Sequence, residues 1–202
     1  MPHHSREVST GMAIVPDIEH LVSALREKDP AVVQHSERSA RYAFIIGRAL
    51  GLRSGQLDAL RRGGMLHDVG KLSIAPSILN KPGPLSPDEW EIMRRHPQEG
   101  YKRLAGKIDN AALDVVLFHH EWFDGRGYPG RYSGENIPVL ARVFAIADAF
   151  DAMTSDRPCR RAIQPADARR EISLCAGIQF DPVLVRVFEE VSDSLFQEWR
   201  AF

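Results

Sequence analysis

The segment Leu117–Gly130 reads LFHHEWFDGRGYPG, and it joins an apolar run to a glycine-broken loop. Its two adjacent imidazoles, His119 and His120, stand where the apolar run ends. Acidic and aromatic residues follow at once, together with three glycines and a proline. The pattern predicts a helix that delivers two histidines to one place, followed by a loop that bends tightly.

The bulk composition is that of an ordinary globular protein. The chain has 202 residues, 44% of them hydrophobic and 26% charged, which suits a single domain with a real core. A formal net charge of -1 argues against binding to DNA or to an acidic membrane, because both need a strong basic excess. No apolar run is long enough to span a bilayer, and the N-terminus carries no secretion signal. The two cysteines give no disulfide framework, so a cytoplasmic location is expected.

Helix-start signals recur along the chain. They lie at Asp29-Pro30, Ser54, Ser86-Pro87, Asn110, Pro138, Pro165 and Asp181-Pro182. The helix that starts at Ser86 is expected to end near His96, and residues 70–84 and 121–137 are expected to be non-helical. Because no run alternates with period two, the sequence predicts an all-α fold, a single-domain helical bundle. Residues 1–16 are expected to form an N-terminal arm open to disorder, and residues 17–202 the helical domain.

Histidines and aspartates gather at or near the predicted helix ends. A single histidine near the C-terminus of a helix does not indicate a functional site, because its interaction with the helix dipole explains its position. Asp148 is different, since a carboxylate on an apolar helix face is costly to bury unless it is paired or binds a metal. Taken together, these side chains are the ligands that a transition-metal hydrolase uses. The set comprises His35, His67, Asp68, His96, His119, His120 and Asp148, with Asp151 one helical turn further on.

Asp68 is the natural bridge in such a set. Adjacent helical residues point about 100° apart, so His67 and Asp68 can aim at one point only at a local helix end. A carboxylate has two oxygens and can join two metals, which an imidazole does less readily. The number of candidate ligands suits two metals, each completed by water.

The motifs HDVGK, HPQEG, HHEWFDGRGYP and DAFDAMTSDRPCR, in this order and spacing, resemble those of the HD-GYP family of phosphohydrolases. HSERSARYA before them and GIQFDP after them match as well, so the resemblance covers nearly the whole chain. It implies an all-α fold of the HD superfamily type. It also implies a phosphodiesterase that hydrolyses cyclic di-GMP to linear pGpG, to GMP or to both, and so ends a second-messenger signal.

The resemblance also implies the metal ligands. One metal would be held by His35, His67, Asp68 and Asp148, and the second by Asp68, His96, His119 and His120. Two divalent transition-metal ions are expected, with iron or manganese preferred to magnesium at so histidine-rich a site. A water between them would lose a proton, and the resulting hydroxide would attack phosphorus in line.

Further roles are carried over from the same motifs. Lys71 would face the reacting phosphate and stabilise its charge, and Asp151 would orient a ligand or a water. Gly127, Tyr128 and Pro129 would border the substrate. Arg157 and Arg160 would contact its phosphate or guanine, because arginine can donate two hydrogen bonds to phosphate at once.

Two positions depart from the family pattern. Members with three metals carry a glutamate one helical turn before the first histidine, and Ala31 stands there. Two metals are therefore expected. The usual RPYR reads RPCR, with Cys159 in place of tyrosine, and we interpret Cys159 as a small packed side chain.

Other functions remain compatible with these residues. The chain could hydrolyse another cyclic dinucleotide or nucleotide, because the metals would bind the phosphate and would not distinguish one base from another. It could also be a low-turnover module that senses a nucleotide or docks on a signalling partner such as a diguanylate cyclase domain. A homodimer is equally open from the sequence.

Overall fold

The computed structural model describes residues 16–156 and 161–192, and within these ranges all regular structure is helical apart from one isolated bridge, Ala176 with Phe180. The α-helices in these ranges are α1 Pro16–Lys28, α2 Pro30–Ala49, α3 Ser54–Leu66, α4 Pro76–Leu79, α5 Pro87–Met93, α6 His96–Leu104, α7 Asn110–Phe118, α8 Val139–Thr154, α9 Pro165–Leu174 and α10 Pro182–Glu190. Two short 3-10 helices span Val69–Ser73 and Gly134–Asn136. The all-α prediction is confirmed.

Helix starts follow the local signals in the sequence. The Asp29 carboxylate accepts hydrogen bonds from the backbone N–H groups of Ala31 and Val32 at 3.0 and 3.3 Å, and so caps α2. Ser86 and Glu89 form a reciprocal capping box at the start of α5. In both helices the next residue is a proline, which has no N–H group to leave unpaired. The predictions for these starts are confirmed.

Two predicted helix limits and both predicted non-helical segments are wrong. His96 begins α6 and does not end the preceding helix, because α5 stops at Met93 and Pro97 lies in the first turn of α6. The cap of α7 is Asp109, whose carboxylate accepts from the N–H of Ala112 at 2.9 Å, and not Asn110. The segments 70–84 and 121–137 also contain short helical turns: most of the first 3-10 helix and α4 in one, and the second 3-10 helix in the other.

The core forms around α8, which packs against α2, α3, α7, α9 and α10. Its side chains are buried around most of its circumference, Phe144 and Phe150 among them. The ring of Phe150 meets Tyr42 of α2 edge-on at 5.4 Å and Phe188 of α10 at 5.3 Å. Burial on several sides makes α8 a fixed reference for the groups that it carries, including Asp148.

Two glycines of α3 bring the ends of three helices together. A Cβ atom on Gly63 would lie 2.6 Å from the carbonyl oxygen of Ala112 in α7, and one on Gly64 would lie 2.6 Å from Cε2 of Phe144 in α8. Such spacing leaves no room for a side chain. The close packing of α3 on both helices places His67, just past the end of α3, beside His119, just past the end of α7, with ring centroids 4.9 Å apart.

Helix α1, for which the sequence analysis named no start signal, supports the site from outside. Its Ile18 packs with Leu66 and Val69 in a buried cluster. Lys28 donates hydrogen bonds to the carbonyl oxygens of Lys71 and Leu72 at 3.2 and 3.0 Å, and thereby holds the first 3-10 helix. In residues 16–156 and 161–192 no helix combines the length and the apolarity needed to cross a membrane. Residues 1–15 and 193–202 lie outside the described ranges, so the division of the chain at residue 16 stays a prediction.

Candidate metal centre

The chain leaves the helix between His67 and Asp68, as a shared site for these neighbours requires. Helix α3 ends at Leu66, His67 keeps helical backbone angles, and Asp68 leaves them with φ -95° and ψ 3°. The Asp68 Oδ2 atom then lies 3.2 Å from His67 Nε2. Both side chains are buried. The local helix end therefore lets two adjacent residues face one centre.

Three of the histidines share one tautomer, fixed by the backbone. The Nδ1 atoms of His67, His96 and His119 each lie 2.8 or 2.9 Å from the carbonyl oxygen three residues earlier, those of Gly64, Met93 and Val116. A carbonyl oxygen only accepts hydrogen bonds, so each Nδ1 must carry the proton and donate it. Each Nε2 is left with a lone pair, which is the form that binds a metal.

Two of these lone pairs face each other. The Nε2 atoms of His96 and His119 are 3.2 Å apart, and both rings are buried. Burial lowers the pKa of His96 to about 4 and that of His120 to about 3, and it holds the pKa of His119 well below the usual range. The imidazoles are therefore neutral at neutral pH. Opposed lone pairs at this distance repel unless a cation lies between them, so this group fits a metal ion.

A buried carboxylate and an arginine orient His35. Its Nδ1 donates a hydrogen bond to Asp151 Oδ2 at 2.7 Å. Arg38 donates two hydrogen bonds to the same carboxylate, from Nε at 2.7 Å and from Nη2 at 3.0 Å. Asp151 is 0% exposed. Although burial opposes it, the carboxylates of Asp148 and Asp151 raise the pKa of His35 to about 9. Metal binding at His35 must therefore release a proton.

Asp148 places one carboxylate oxygen between two candidate ligands. Its Oδ1 pairs with His35 Nε2 at 2.8 Å and lies 3.6 Å from His67 Nε2, but neither contact has hydrogen-bond geometry within the described residues. A buried carboxylate oxygen without a hydrogen bond is costly. A metal ion shared with the two histidines would satisfy it.

The ligand atoms fall into two groups that meet at Asp68. His35, His67 and Asp68 form one group and His96, His119 and His120 the other, and in each group the ligand atoms lie within 4.8 Å of one another. Asp68 Oδ2 faces His67, while Asp68 Oδ1 lies 3.4 Å from His96 Nε2 in the second group. The donor set and its division fit two metal ions joined by one carboxylate. The bridge itself stays a prediction.

Lys71 lies beside the same carboxylate. Its Nζ donates to Asp68 Oδ2 at 2.7 Å, and its side chain is 20% exposed. Although burial opposes it, the neighbouring His67 ring and the Lys71 ammonium hold the pKa of Asp68 well below its usual range. Asp68 is therefore ionised at neutral pH. The predicted contact of Lys71 with the reacting phosphate is not tested by this geometry.

The loop after His120 folds back over the histidines. The Tyr128 N–H donates to the His120 carbonyl at 3.1 Å, and the Tyr128 ring lies over the His120 ring with centroids 4.7 Å apart. Gly127 makes this possible, because a Cβ there would lie 2.2 Å from the Trp122 nitrogen. The peptide between Tyr128 and Pro129 is cis. The predicted substrate-bordering residues thus form one wall beside the second ligand group.

Two further residues that the sequence analysis did not single out shape this wall. Glu121 is 3% exposed, and its Oε1 accepts from the Gly130 N–H at 2.5 Å. Arg94 places its guanidinium carbon 5.6 Å from the centre of the Tyr128 ring. Glu121 therefore ties the loop back to the ligand-bearing segment, and Arg94 lies on the outer side of Tyr128.

A cavity of about 570 Å³ opens from the metal ligands. Its walls include both members of the His119-His120 pair, Lys71, one face of α8, and α9 with the segment that follows it. This volume is within the range of about 300–1,000 Å³ that is usual for small-molecule sites. Arg157 and Arg160, predicted to contact the substrate, lie outside the described residues, as does Cys159.

The protein is therefore an all-α domain whose central helices surround a cluster of histidines and aspartates. The HD domain family matches residues 19–184, so the chain belongs to the HD domain family.

Curated relatives are about one-third identical to this chain over the aligned residues. A cyclic di-GMP phosphodiesterase response regulator of Xanthomonas campestris pv. campestris is 38% identical over 169 residues, which are 82% of this chain and 44% of the relative. A cyclic di-GMP phosphodiesterase of Pseudomonas aeruginosa is 35% identical over 184 residues, or 90% of this chain and 44% of the relative. A 3'3'-cGAMP-specific phosphodiesterase of Vibrio cholerae is 34% identical over 174 residues, which are 85% of this chain and 33% of the relative. The chain thus spans less than half the length of these curated relatives.

Solved structures show the same fold. An HDG"Y"P protein from Bdellovibrio bacteriovorus superposes with a TM-score of 0.65 at 18% identity, covering 79% of this chain and 51% of that one. A second solved structure is the HD domain of the L. monocytogenes phosphodiesterase PgpH in complex with cyclic-di-AMP. It superposes with a TM-score of 0.62 at 18% identity, covering 90% of this chain and 96% of that one. The family resemblance inferred from the motifs is confirmed.

Proposed function

We propose that this chain is a metal-dependent phosphodiesterase that hydrolyses cyclic di-GMP to linear pGpG, to GMP or to both. One observation carries the proposal: two groups of ligand atoms converge on opposite oxygens of the Asp68 carboxylate, at the end of a cavity of small-molecule size. The names of the curated relatives support the substrate class.

Each metal would be held by side chains already oriented for it. His35, His67, Asp68 and Asp148 would hold the first ion, and Asp68, His96, His119 and His120 the second. Two divalent transition-metal ions, iron or manganese by preference, would supply an acidified water and neutralise charge on the phosphoryl group. No carboxylate stands at position 31, so two ions are proposed rather than three.

The remaining residues orient the site and receive the substrate. The backbone carbonyls that accept from the Nδ1 atoms hold three imidazoles with Nε2 toward the centre. The ammonium of Lys71, now on Asp68, is close enough to the ligands to turn toward a phosphoryl oxygen and stabilise its charge. Tyr128 and its loop border the substrate, and Arg157 and Arg160 would bind its second phosphate or a guanine.

Turnover of cyclic di-GMP by the purified chain tests the proposal. Metal-free protein is loaded with manganese or with iron, and the products are separated by chromatography. We expect hydrolysis that depends on added metal and that stops with a chelator. Stable loading of metal without any hydrolysis of a cyclic dinucleotide would contradict the proposal and favour a sensing module. A cytoplasmic location, a signalling partner and a homodimer stay predictions from the sequence.

A further inference from the structure

The wall of the cavity that is formed by α9 and the segment after it carries none of the candidate metal ligands. This wall includes Glu171 and Cys175 with Gln179. The floor of the cavity is the face of α8 that carries Ala145, Ala149 and Ala152 around Asp148, and the small alanine side chains leave room above the helix. Within the described residues that line the cavity, the only ammonium or guanidinium group is that of Lys71.

This wall is fixed relative to the metal ligands. The backbone N–H of Phe123 donates to the Gln179 carbonyl at 3.1 Å, and that of Asp124 donates to the Ile178 carbonyl at 3.0 Å. Phe123 follows His120 by three residues, so Gln179 is tied to the ligand-bearing segment. Helix α9, which carries Glu171, is anchored to the core through the fully buried Ile172.

The charges around the cavity separate two parts of a nucleotide. A phosphate would be attracted to the bound metal ions and to Lys71, and it would be repelled by the Glu171 carboxylate. Both oxygens of this carboxylate can accept hydrogen bonds from a ligand. A flat base above the alanine floor would present its edge to this carboxylate and to the Gln179 amide.

We propose that Glu171, together with Gln179, recognises the hydrogen-bonding edge of one guanine and makes this wall of the cavity a base-recognition subsite. Guanine offers two adjacent donors, N1–H and N2–H, which match the two oxygens of a carboxylate in a bidentate pair. Adenine places an acceptor, N1, beside its amine, so it loses one hydrogen bond and brings a lone pair against the carboxylate. The inference rests on the proposed function and adds to it a residue that selects the base.

The test compares two substrates that differ only in the base. Catalytic efficiency, kcat/KM, is measured with cyclic di-GMP and cyclic di-AMP for the wild type, Glu171→Gln and the control Glu190→Gln. Glu190 ends α10, is exposed and does not line the cavity. A base-free phosphodiester, bis(p-nitrophenyl) phosphate, reports the metal chemistry alone, and thermal melting checks the fold.

We expect Glu171→Gln to lower the efficiency with cyclic di-GMP about tenfold or more, which is the range of one bidentate base contact. Efficiency with cyclic di-AMP should stay level or rise, because the glutamine amide can pair with adenine. Hydrolysis of the base-free diester and all rates of Glu190→Gln should match the wild type. An unchanged ratio between the two dinucleotides, or an equal loss on both, would overturn this inference alone. Absence of cyclic dinucleotide turnover by the wild type would overturn the proposed function and this inference together.

Discussion

The Nε2 atoms of His96 and His119 lie 3.2 Å apart, and the Nδ1–H group of each ring donates a hydrogen bond to a backbone carbonyl. The two residues come from the start of α6 and the end of α7, so the contact joins two helices. Without a cation the contact is repulsive. A bound ion would turn this contact into a favourable one.

Removal of metal should lower the stability of the fold. A ligand that binds only the folded state at about 100 times its Kd stabilises it by about 2.7 kcal/mol. For a chain of this size that corresponds to a shift of about 5–10 °C in Tm. Thermal melting before and after chelation, and after manganese is returned, measures the shift. Magnesium is the control, because it prefers oxygen ligands and should restore little stability. Identical melting curves with and without manganese would contradict the metal assignment.

Substitution of Arg38 should weaken the first metal group without touching a ligand. Arg38→Ala removes two hydrogen bonds from the Asp151 carboxylate, which in turn holds His35. Loss of such a supporting partner weakens metal affinity about tenfold to a hundredfold. Metal titration with a competing chelator measures the affinity. Arg26→Ala is the matched control, because Arg26 meets Glu37 at 3.7 Å in an exposed pair and should leave both affinity and stability almost unchanged. Equal affinity in Arg38→Ala and the wild type would show that Asp151 orients His35 unaided.

The close contact at Gly70 should not tolerate a side chain. A Cβ there would lie 1.9 Å from the His96 carbonyl oxygen and 2.6 Å from the Gly100 nitrogen, both backbone atoms. Overpacking of this kind costs about 1–3 kcal/mol or more, and Gly70→Ala should also displace His96. The denaturation midpoint and the metal content measure the two effects. Gly55→Ala is the control, since a Cβ at Gly55 meets nothing within 4 Å in the described structure and should be neutral or slightly stabilising. Normal stability of Gly70→Ala would mean that α6 shifts freely against the first 3-10 helix.

Glu121 should control the position of the Tyr128 wall. Glu121→Ala leaves the Gly130 N–H without its acceptor, whereas Glu121→Gln keeps an oxygen in reach. We expect Glu121→Ala to raise KM for cyclic di-GMP about tenfold, because the loop is no longer tied to the ligand segment. Glu121→Gln should recover much of the loss. Metal content should match the wild type in both, and a loss of metal in Glu121→Gln would show that Glu121 acts on the ligands rather than on the loop.

The convergence of the histidines and aspartates could be predicted from sequence because His67, His96 and His119 lie beside local helix-end signals, and because the family motifs group them with His35 and Asp148, which lie inside α2 and α8. The assignment of these residues to two metal ions stays a prediction. His96 shows the limit of such signals. Pro97 is compatible both with the end of one helix and with the first turn of the next. In the structure it lies in the first turn of α6.

The sequence predicts that Asp151 orients a ligand, but the tertiary partners of the supporting residues could not be predicted in the same way. Arg38 and Asp151 are 113 residues apart, and nothing local to Arg38 distinguishes it from a solvated arginine. The role of Glu121 depends on a loop that returns nine residues later. The wall formed by Glu171 and Gln179 exists only because α9 and the segment after it pack beside α8. Pairings of this kind are fixed by tertiary structure and leave no periodic trace in the sequence.

The central claim is that Asp68 joins two metal ions, and the metal content of Asp68→Ala compared with His120→Ala tests it most directly. Asp68 faces both ligand groups, whereas His120 belongs to one. Elemental analysis of fully loaded protein should give about two ions per chain for the wild type and about one for His120→Ala. Asp68→Ala should retain less than one ion and should lose the most turnover of cyclic di-GMP. If Asp68→Ala binds two ions and hydrolyses cyclic di-GMP at nearly the wild-type rate, the carboxylate bridge does not exist and the account is wrong.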